Sequence, residues 1–408
     1  MGDAAAGSSE RVGDDARLAA AWSRLARVVA DADAILAEPD VPATGVALAE
    51  GYDYWAQVLT FGLRRELHYA EPGQPLFHRI GLDTKIGFDN PDNVYEIAKI
   101  DPAHAYVVTG TRGDAQFLEF SVSVGFPGVV VPPRTIAKLD TTEIDVAADG
   151  SIELFVGGAP RSRNWFPLEP DATSFLVRQV FGEWRPDDVP GDFRIERVGG
   201  AGESVAPLTP EVVAVRLERT AQFVETQTRY WIDYTRQLDA RIPVNAFEAP
   251  GLQGRELVHV NAARAYFCWG RYDLGPDDAL VVEVPAPPHD AYLGFQLVNY
   301  WLQSLDFVNR ITSCNGRQAR SDPDGRIRYV LAHHDPGVPN WLDVTGHPRG
   351  WMVFRAAFVE DAPRPTATPV ALSDLRAVLP EGTPVVTPDD RRAQIARRRA
   401  HVASRFRW

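Results

Sequence analysis

Short apolar segments separated by tight turns dominate the middle of the chain. Residues 105–110 and 116–122 are two such segments, and the turn at 111–114 between them predicts a β-hairpin. Similar segments continue to 184, and a second series runs from 257 to 358, where 265–270 and 279–284 predict another hairpin. Antiparallel strands need only short connections, whereas parallel strands need long crossovers. The pattern therefore predicts antiparallel β-sandwiches rather than a parallel sheet.

The two predicted hairpins loosely resemble each other. Each has an aromatic and apolar strand, a glycine, a turn that contains aspartate, and a second strand. Duplication of one β unit would explain this resemblance.

Helical patterns flank and divide the β regions. Apolar residues recur at helical spacing from Leu18 to Leu36, after a start at 1–13 that is predicted to be disordered. A second helix is expected from 46 to 67, so the N-terminal part is predicted to form a helical hairpin. Thr209-Pro210-Glu211 combines an N-cap, a first-turn proline and an acidic residue, which predicts a linking helix to about residue 240. Thr387 similarly precedes an Arg-rich C-terminal helix.

The chain has 408 residues, which is too long for one ordinary core. The predicted fold class is α+β, with two antiparallel, jelly-roll-like β-sandwich modules, an N-terminal helical hairpin, a linking helix and a C-terminal helix. The predicted divisions are 1–70 for the disordered start and helical hairpin, 71–205 for the first β-sandwich module, 206–250 for the linking helix, 251–360 for the second β module, and 361–408 for the Pro-rich linker and the Arg-rich helix.

Charge and hydropathy exclude several classes of partner. The net charge is -13, whereas nucleic acids and anionic membranes favour basic proteins, so neither is expected as a partner. The N-terminal residues lack the basic and apolar pattern of a signal peptide, and no apolar run approaches the roughly 20 residues of a membrane span. A cytoplasmic protein is therefore expected.

Motifs for common cofactors are absent from the sequence. Two isolated cysteines, Cys268 and Cys314, form neither a disulfide framework nor a CxxC motif, so they are expected to be buried apolar thiols. The chain has no nucleophile elbow of the GxSxG type, no phosphate loop and no suitably placed GxGxxG. No cofactor is therefore expected.

Several motifs in the second β region resemble the DUF1214 family, a domain of unknown function. The motifs are Asn299-Tyr300-Trp301, Ser304-Leu305-Asp306, Asn309-Arg310, Thr312-Ser313, the turn 322–325 and the run 334–343. Upstream, 89–93 and 112–114 are similar to the N-terminal half of the long actinobacterial members, so the resemblance spans roughly 80–355. It implies antiparallel β-sandwich modules, as in the related DUF1254/DUF1214 proteins, and it makes 251–360 the DUF1214-like module. It implies little about a reaction.

Proton-transfer residues cluster between 299 and 351. His333, His334 and Asp335 follow a predicted strand, where alternation places His333 and Asp335 on one face and His334 on the other. A histidine oriented by a carboxylate suits acid–base catalysis, so these three residues and Asp306 are the candidate catalytic residues. The alternative is structural: the imidazoles bond the backbone and Asp335 begins a turn.

Amides next to aromatic rings predict a binding pocket in the same stretch. The candidate substrate-binding residues are Asn299, Tyr300, Trp301, Asn309, Asn340 and Trp341. Such a set suits an oxygenated, largely apolar small molecule, although aromatic pairs are equally typical of a sandwich core. A metal site formed by the histidines with His347, Asp335 and Asp343 is a further alternative, but their spacing matches no known motif, so no metal is assigned.

The leading functional hypothesis is an enzyme of hydrolase or lyase type that acts on this small molecule by His/Asp acid–base chemistry. One alternative is a non-catalytic binding module for a sugar-like or lipid-like ligand. Another is an interaction protein whose Arg-rich helix binds acidic sites of another subunit. A homo-oligomer is also considered, and the sequence leaves open whether the loop 87–93 closes over the C-terminal cavity.

Overall fold

The computed structural model of the chain describes residues 3–42, 45–129, 133–248, 265–359 and 364–406. Two β-sandwich modules, a layer of helices and a C-terminal helix make up the described structure, which confirms the predicted α+β fold class. Residues 1–2, the predicted beginning of the second β module at 251–264, and 361–363 of the predicted linker lie outside the described residues.

The first module contains two facing sheets. Its strands are β1 (His78–Ile80), β2 (Asn93–Lys99), β3 (Tyr106–Thr111), β4 (Phe117–Val124), β5 (Arg134–Asp140), β6 (Ser151–Val156), β7 (Trp165–Phe166), β8 (Ser174–Val180) and β9 (Phe193–Arg197). Sheet I has the order β1-β2-β8-β4-β5, and sheet II has the order β7-β6-β3-β9. The inward residues of both sheets, such as Phe120 and Leu154, form one buried core.

The second module is built in the same way. Its strands are β10 (Ala246–Phe247), β11 (Ala265–Asp273), β12 (Asp278–Pro285), β13 (Tyr292–Val298), β14 (Arg326–Ala332), β15 (Trp341–Asp343), β16 (Arg349–Ala357) and β17 (Thr366–Ala371). Sheet III has the order β10-β11-β16-β13, and sheet IV has the order β15-β14-β12-β17. The core between them includes Cys268 and Cys314, which are free and buried as predicted.

The two modules share one topology. Strands β1, β2, β8 and β4 of sheet I correspond in order to β10, β11, β16 and β13 of sheet III, and β7-β6-β3-β9 corresponds to β15-β14-β12-β17. Each module also has one parallel pair at the same place, β6 with β7 and β14 with β15. Among the described strands, β5 alone lacks a counterpart. The structure therefore supports duplication of a whole β module.

The two predicted hairpins are wrong. Strand β3 pairs with β6 and β9, whereas β4 pairs with β5 and β8, and the strands β11 and β12 likewise belong to different sheets. Val108 of β3 and Phe120 of β4 meet in the core from opposite sheets. Residues 112–116 after β3 and 274–277 after β11 instead cross between the facing sheets, which lie roughly 10 Å apart.

Three long helices cover the outer face of sheet III. They are α1 (Asp3–Ala30), α3 (Gly45–Leu63) and α4 (Pro210–Arg241), with the short α2 (Ala32–Leu36) between the first two. Both α1 and α3 pack against α4, and their shared core includes Trp269 and Trp351 of sheet III. Thr209 caps α4 as predicted, because its hydroxyl accepts a hydrogen bond from the backbone N–H of Val212. No helix in these described ranges is long and apolar enough to cross a membrane.

The first helix begins earlier than the sequence analysis predicts. Helix α1 already includes residues 3–13, which were expected to be disordered. This segment contains a run of three alanines at 4–6, and alanine has the highest intrinsic helix propensity.

The C-terminal helix lies against both modules. Helix α5 (Leu375–Val378) precedes α6 (Pro388–Phe406), where Thr387 and Asp390 form a reciprocal N-terminal cap. Arg398 on α6 donates to the backbone carbonyls of Phe307 and Ser313, and it lies buried near the first module. The Arg-rich helix therefore uses buried arginines for contacts within its own chain.

A buried ion pair connects the helical layer to the second module. Nε2 of His347 lies 2.9 Å from both carboxylate oxygens of Glu50 on α3, and its Nδ1 lies 2.9 Å from the carbonyl of Val344. Burial disfavours the imidazolium, but the hydrogen bond and the charge of Glu50 outweigh burial and raise the pKa of His347 above its ordinary value of 6.5.

This pair makes stability depend on pH. A histidine with a raised pKa in the folded state stabilises fully below its unfolded pKa, and the contribution is lost as pH rises through the folded value. We therefore expect His347→Gln to lower the free energy of unfolding, measured by urea denaturation, more at pH 6 than at pH 9. His289→Gln, at a histidine whose side chain is 83% exposed, is the matched control. An equal loss at both pH values for His347→Gln would contradict the expectation.

Candidate functional site

A cavity of about 600 Å³ lies between the two modules. One wall is the outer face of sheet I, and the opposite wall is formed by sheet III near β11, β13 and β16, with Trp231 of α4 alongside. Most of the lining is apolar or aromatic; the aromatic residues include Phe88, Phe117, Phe126, Trp231, Tyr266, Phe267 and Phe358. Both the volume and this lining are typical of small-molecule sites.

The cavity exists because both faces of sheet I are covered. In β4, Leu118 and Phe120 point into the sandwich core, and the alternating residues Phe117 and Glu119 point outwards. The outward residues are also buried, because the second module covers them: Phe117 packs against Tyr292. An outward sheet face that is buried in this way becomes the wall of an internal site.

A row of polar residues crosses the wall formed by sheet I. Tyr95, Arg178 and Glu119 lie opposite one another on β2, β8 and β4. Nη1 of Arg178 donates to Glu119 at 2.5 Å, and the guanidinium lies 5.4 Å from the centre of the Tyr95 ring. Lys138 on β5 forms an ion pair with the other oxygen of Glu119. Glu119 therefore neutralises part of a doubly cationic wall.

These charges shift the pKa values of the row. Burial alone would raise the pKa of Glu119, but the charges of Arg178 and Lys138 hold it below its ordinary value. Burial lowers the pKa of Lys138, and the charge of Glu119 opposes that shift. The result is a carboxylate that stays ionised in a largely apolar cavity.

The wall formed by sheet III has an equivalent row. Phe267, Arg355 and Gly294 lie opposite one another on β11, β16 and β13, the counterparts of β2, β8 and β4. Arg355 lies 5.6 Å from the centre of the Phe267 ring, as Arg178 lies over Tyr95. Gly294 occupies the strand position that corresponds to Glu119. A Cβ there would lie 2.3 Å from the hydroxyl of Tyr292, so the position requires glycine.

The loop 86–93 closes over the cavity and docks on the second module. Gly87 has a φ of +59°, and a Cβ on it would lie 2.6 Å from the Trp231 ring, so only glycine fits. The carbonyl of Phe88 accepts a hydrogen bond from Nη2 of Arg355 at 2.6 Å. Asp89 accepts from the backbone N–H and the hydroxyl of Ser304 at 2.9 and 2.6 Å. The structure thus answers the question that the sequence left open about this loop.

A buried carboxylate fixes one side of the cavity. Asp92 accepts hydrogen bonds from Nε1 of Trp184 at 2.9 Å, Nδ2 of Asn315 at 2.7 Å and the hydroxyl of Tyr292 at 2.7 Å. The Tyr292 hydroxyl in turn accepts from Nδ2 of Asn90 at 2.8 Å. Burial raises the pKa of Asp92, while its three donors oppose that shift. Because it binds groups from both modules, Asp92 holds Tyr292 in place at the cavity wall.

The predicted catalytic residues lie elsewhere. His333, at the end of β14, is half-buried and its Nε2 lies 3.0 Å from a backbone carbonyl, whereas His334 is exposed. Asp335 accepts from Arg391 of α6 at 2.9 and 3.0 Å and from the backbone N–H of Gly337 at 2.9 Å. These contacts match the structural alternative, in which Asp335 begins a turn. None of these residues lines the cavity.

Asp306 and the histidines are not brought together. Exposed Asp306 accepts from the backbone N–H groups of Val308 and Asn309 at 3.1 and 2.9 Å, and Asn309 accepts from Nε of Arg399 on α6. The strand before Asp306 belongs to sheet III, whereas the strand before His333 belongs to sheet IV. Asp306 and the histidines are therefore held apart, because the chain crosses from sheet III to sheet IV between β13 and β14.

Two of the predicted substrate-binding residues contact the helical layer, and a third shapes the turn that carries them. Trp301 stacks on Tyr54 with ring centres 5.4 Å apart, and its Nε1 donates to the carbonyl of Ala47 on α3. Tyr300 packs at the edge of the same core. Oδ1 of Asn299 accepts a hydrogen bond from the backbone N–H of Trp301, and this contact stabilises the turn that positions the two rings.

Asn340 and Trp341 have structural counterparts in the first module. Asn164-Trp165 precedes and begins β7 as Asn340-Trp341 precedes and begins β15, and both asparagines have a positive φ, 52° and 54°. In both pairs the Asn amide donates to a carbonyl of the neighbouring strand, and Trp Nε1 donates to a backbone carbonyl at about 3 Å. The shared geometry indicates that this corner belongs to the module architecture.

The metal-site alternative finds no support in the described ranges. His347 is engaged with Glu50, and Asp343 accepts from Arg310 at 2.8 Å. Among the residues that the structure describes, no three His, Cys, Asp or Glu side chains converge as a metal site requires.

Comparison with solved structures relates most of the chain to a bacterial protein. An uncharacterised protein from Burkholderia cenocepacia superimposes with a TM-score of 0.81 and 30% sequence identity, over 88% of this chain and 99% of that chain. The chain belongs to the same family as this Burkholderia protein. No family model matches the chain, and no curated protein matches it.

More distant structures do not add to this assignment. The VPA0106 protein from Vibrio parahaemolyticus has a TM-score of 0.43 at 11% identity, over 78% of this chain and 98% of that chain. A salicylate 1,2-dioxygenase from Pseudaminobacter salicylatoxidans has a TM-score of 0.22 at 13% identity, over 77% of this chain and 86% of that chain. Such low scores support no inference about this chain.

The polar residues of the cavity are not among the residues predicted from the sequence. Arg178, Arg355 and Glu119 each stand in a strand whose neighbouring residues are mostly apolar. A charge inside such a strand is a detectable signal, because a buried charge needs a partner or a function. Placing the three in one cavity requires the packing of the modules, which no local pattern reveals.

The Asp92 network predicts a loss of stability on a nearly isosteric change. Asp92→Asn replaces one acceptor oxygen by an amide donor, so the buried Tyr292 hydroxyl loses its acceptor. We expect a loss of about 1–3 kcal/mol in the free energy of unfolding, measured by urea denaturation at neutral pH. Asp290→Asn, at a fully exposed carboxylate near the same strand, should change it by less than about 0.5 kcal/mol. Equal effects of the two substitutions would contradict the role given to Asp92.

Proposed function

We propose that the protein binds an oxygenated, largely apolar small molecule in the cavity between its two modules. The observation that carries this proposal is an apolar, aromatic cavity of about 600 Å³ with a few polar groups on its walls. A concave, largely apolar site of this volume, partly open to solvent, is typical of proteins that bind a small molecule.

The composition of the lining favours a ring-shaped or lipid-like ligand over a sugar-like one. Phe88 and Phe267 pack at the loop with ring centres 5.4 Å apart and planes tilted by 36°, and Phe117 and Phe358 pack edge to face with ring centres 4.9 Å apart. Sugars need a dense array of hydrogen-bond partners, whereas aromatic walls remove apolar surface from water. The two arginines of the lining, Arg178 and Arg355, are each packed over an aromatic ring.

Several features predicted from the sequence remain proposals. Membership of the DUF1214 family is proposed on the motifs from Asn299 to Asp343. A cytoplasmic location and assembly as a homo-oligomer also stay predictions. The His/Asp chemistry assigned to His333, His334, Asp335 and Asp306 stays a prediction as well, and it is separate from the cavity because none of the four lines it.

Filling the cavity should abolish binding. Ala357 lies on the cavity wall beside Phe358, and Ala357→Trp would place an indole in the space available to the ligand. We expect wild-type protein to bind the neutral fluorescent probe N-phenyl-1-naphthylamine at one site, and Ala357→Trp to weaken that binding by about tenfold or more.

The matched control is Ala371→Trp, which adds the same side chain at an exposed position on β17. It should leave probe binding unchanged, and thermal unfolding should show that both variants are folded. Failure of the wild-type protein to bind the probe, or equal binding by Ala357→Trp, would contradict the proposal.

A second candidate function is catalysis on the same ligand, by a hydrolase or lyase reaction. It is favoured by the convergence of Glu119, Lys138 and Arg178 on one wall of a largely apolar cavity. Ionisable groups that burial and close charges perturb are typical of active sites, although structural ion pairs show the same feature. In this role Lys138 would donate a proton to the substrate and Glu119 would hold the ammonium group in place.

The two candidates differ in their response to one substitution. Glu119→Gln keeps the size of the side chain but removes the charge that holds Lys138 and Arg178. If the cavity is catalytic, turnover of a substrate found by screening hydrolase and lyase substrates should fall by about 100-fold or more, while N-phenyl-1-naphthylamine binding changes by less than about threefold. Unchanged turnover would contradict catalysis by this cluster and leave the binding function.

A further inference from the structure

We propose that the ligand of the cavity is an organic anion whose carboxylate pairs with Arg355 while its ring-shaped body contacts Phe88 and Phe267. This inference rests on the proposed binding function and adds the chemical class of the ligand. Its basis is that Glu119 and Gly294 occupy equivalent positions in the duplicated modules, yet only one of them carries a charge.

Arg178 and Arg355 occupy the same place in their modules. Each lies on the third strand of its sheet, β8 or β16, with an aromatic residue opposite it on one neighbouring strand. On the other neighbouring strand, β4, Arg178 has Glu119 and donates to it at 2.5 Å. Arg355 has Gly294 at the equivalent position on β13, so the corresponding carboxylate is missing.

Arg355 has only neutral partners among the described residues. Nη1 donates to Oε1 of Gln296 at 2.5 Å, and Nη2 donates to the carbonyl of Phe88 at 2.6 Å. It forms no ion pair with a carboxylate of the described chain, and its pKa is lowered by burial. A guanidinium stays charged in proteins, and a buried charge is stabilised by an opposite charge. An anionic ligand supplies that charge.

The carboxylates that line the cavity already have hydrogen-bond or ion-pair partners. Asp89 is bound by Ser304, and Glu119 is shared by Arg178 and Lys138. Asp140 accepts from the backbone and hydroxyl of the following Thr142, and Glu143 accepts from the backbone N–H of Asp140. Asp89 and the buried Asp92 act on the Arg355 guanidinium only through their charges at a distance, and no described carboxylate contacts it directly.

The surroundings of Arg355 also indicate the rest of the ligand. Its guanidinium lies 5.7 Å from the centre of the Phe88 ring and 5.6 Å from that of Phe267. A carboxylate that reaches this guanidinium therefore brings the group attached to it against two aromatic rings. Aromatic carboxylic acids, with a flat apolar body next to the anionic group, match this arrangement.

A matched pair of fluorescent probes separates charge from shape. The probe 8-anilino-1-naphthalenesulfonate has the same two ring systems as N-phenyl-1-naphthylamine and adds a sulfonate, whose oxygens stand in for those of a carboxylate. We expect wild-type protein to bind the sulfonate probe about tenfold or more tighter than the neutral probe. Arg355→Met should remove this preference, so that the variant binds the two probes with affinities within about threefold of each other.

The control is Arg349→Met, the same substitution on the same strand at a side chain that is 72% exposed. It should leave both affinities unchanged. The wild-type protein provides an independent measurement that needs no variant: 1-naphthoate should displace N-phenyl-1-naphthylamine at about tenfold lower concentration than 1-naphthamide.

The outcomes distinguish this inference from the proposed function. If the wild-type protein binds neither probe, the binding function fails and this inference fails with it. If the neutral probe binds but 1-naphthoate and 1-naphthamide compete equally, the anionic ligand is wrong and the binding function stands. Should Arg355→Met fail to fold, the competition between 1-naphthoate and 1-naphthamide in the wild-type protein still decides the question.

Discussion

Burial of the outer face of sheet I is the constraint on which the rest of the structure depends. A sandwich alone buries one face of each sheet and leaves the other to water, but here Phe117 and Val180 on the outer face pack against Tyr292 and Phe358 of the second module. The two surfaces do not fill the space between them, so a partly open cavity remains. Polar residues on this face, above all Glu119 and Arg178, are therefore largely removed from water and need partners within the cavity.

Duplication explains both what the modules share and where they differ. The Asn-Trp corners at 164–165 and 340–341 keep the same hydrogen bonds, which shows that this corner stabilises the architecture itself. The arginines at 178 and 355 also keep their places over an aromatic ring. Glu119 and Gly294, in contrast, differ in charge and size at equivalent positions. By such a substitution on the wall of a cavity, two copies of one fold can form a site that neither copy has alone.

The sequence predicts the fold better than it predicts the site, for physical reasons. Capping at Thr209 and Thr387 depends on neighbours within one turn, so the ends of α4 and α6 follow from local pattern. Strand pairing depends on distant segments, which is why the predicted hairpins were wrong although the strands themselves exist. Trp301 was predicted to bind substrate, but it packs on Tyr54 in the helical layer. Arg355 was missed because its role depends on Phe88, a residue far away in the sequence.

The measurement that tests the central claim most directly is a crystal structure of the wild-type protein grown with 1-naphthoate. The account predicts electron density for one ligand between sheets I and III, with its ring against Phe88 and Phe267 and a carboxylate oxygen within hydrogen-bonding distance of the Arg355 guanidinium. Density at another place on the molecule, or a cavity filled by the side chains of its own walls, would contradict it.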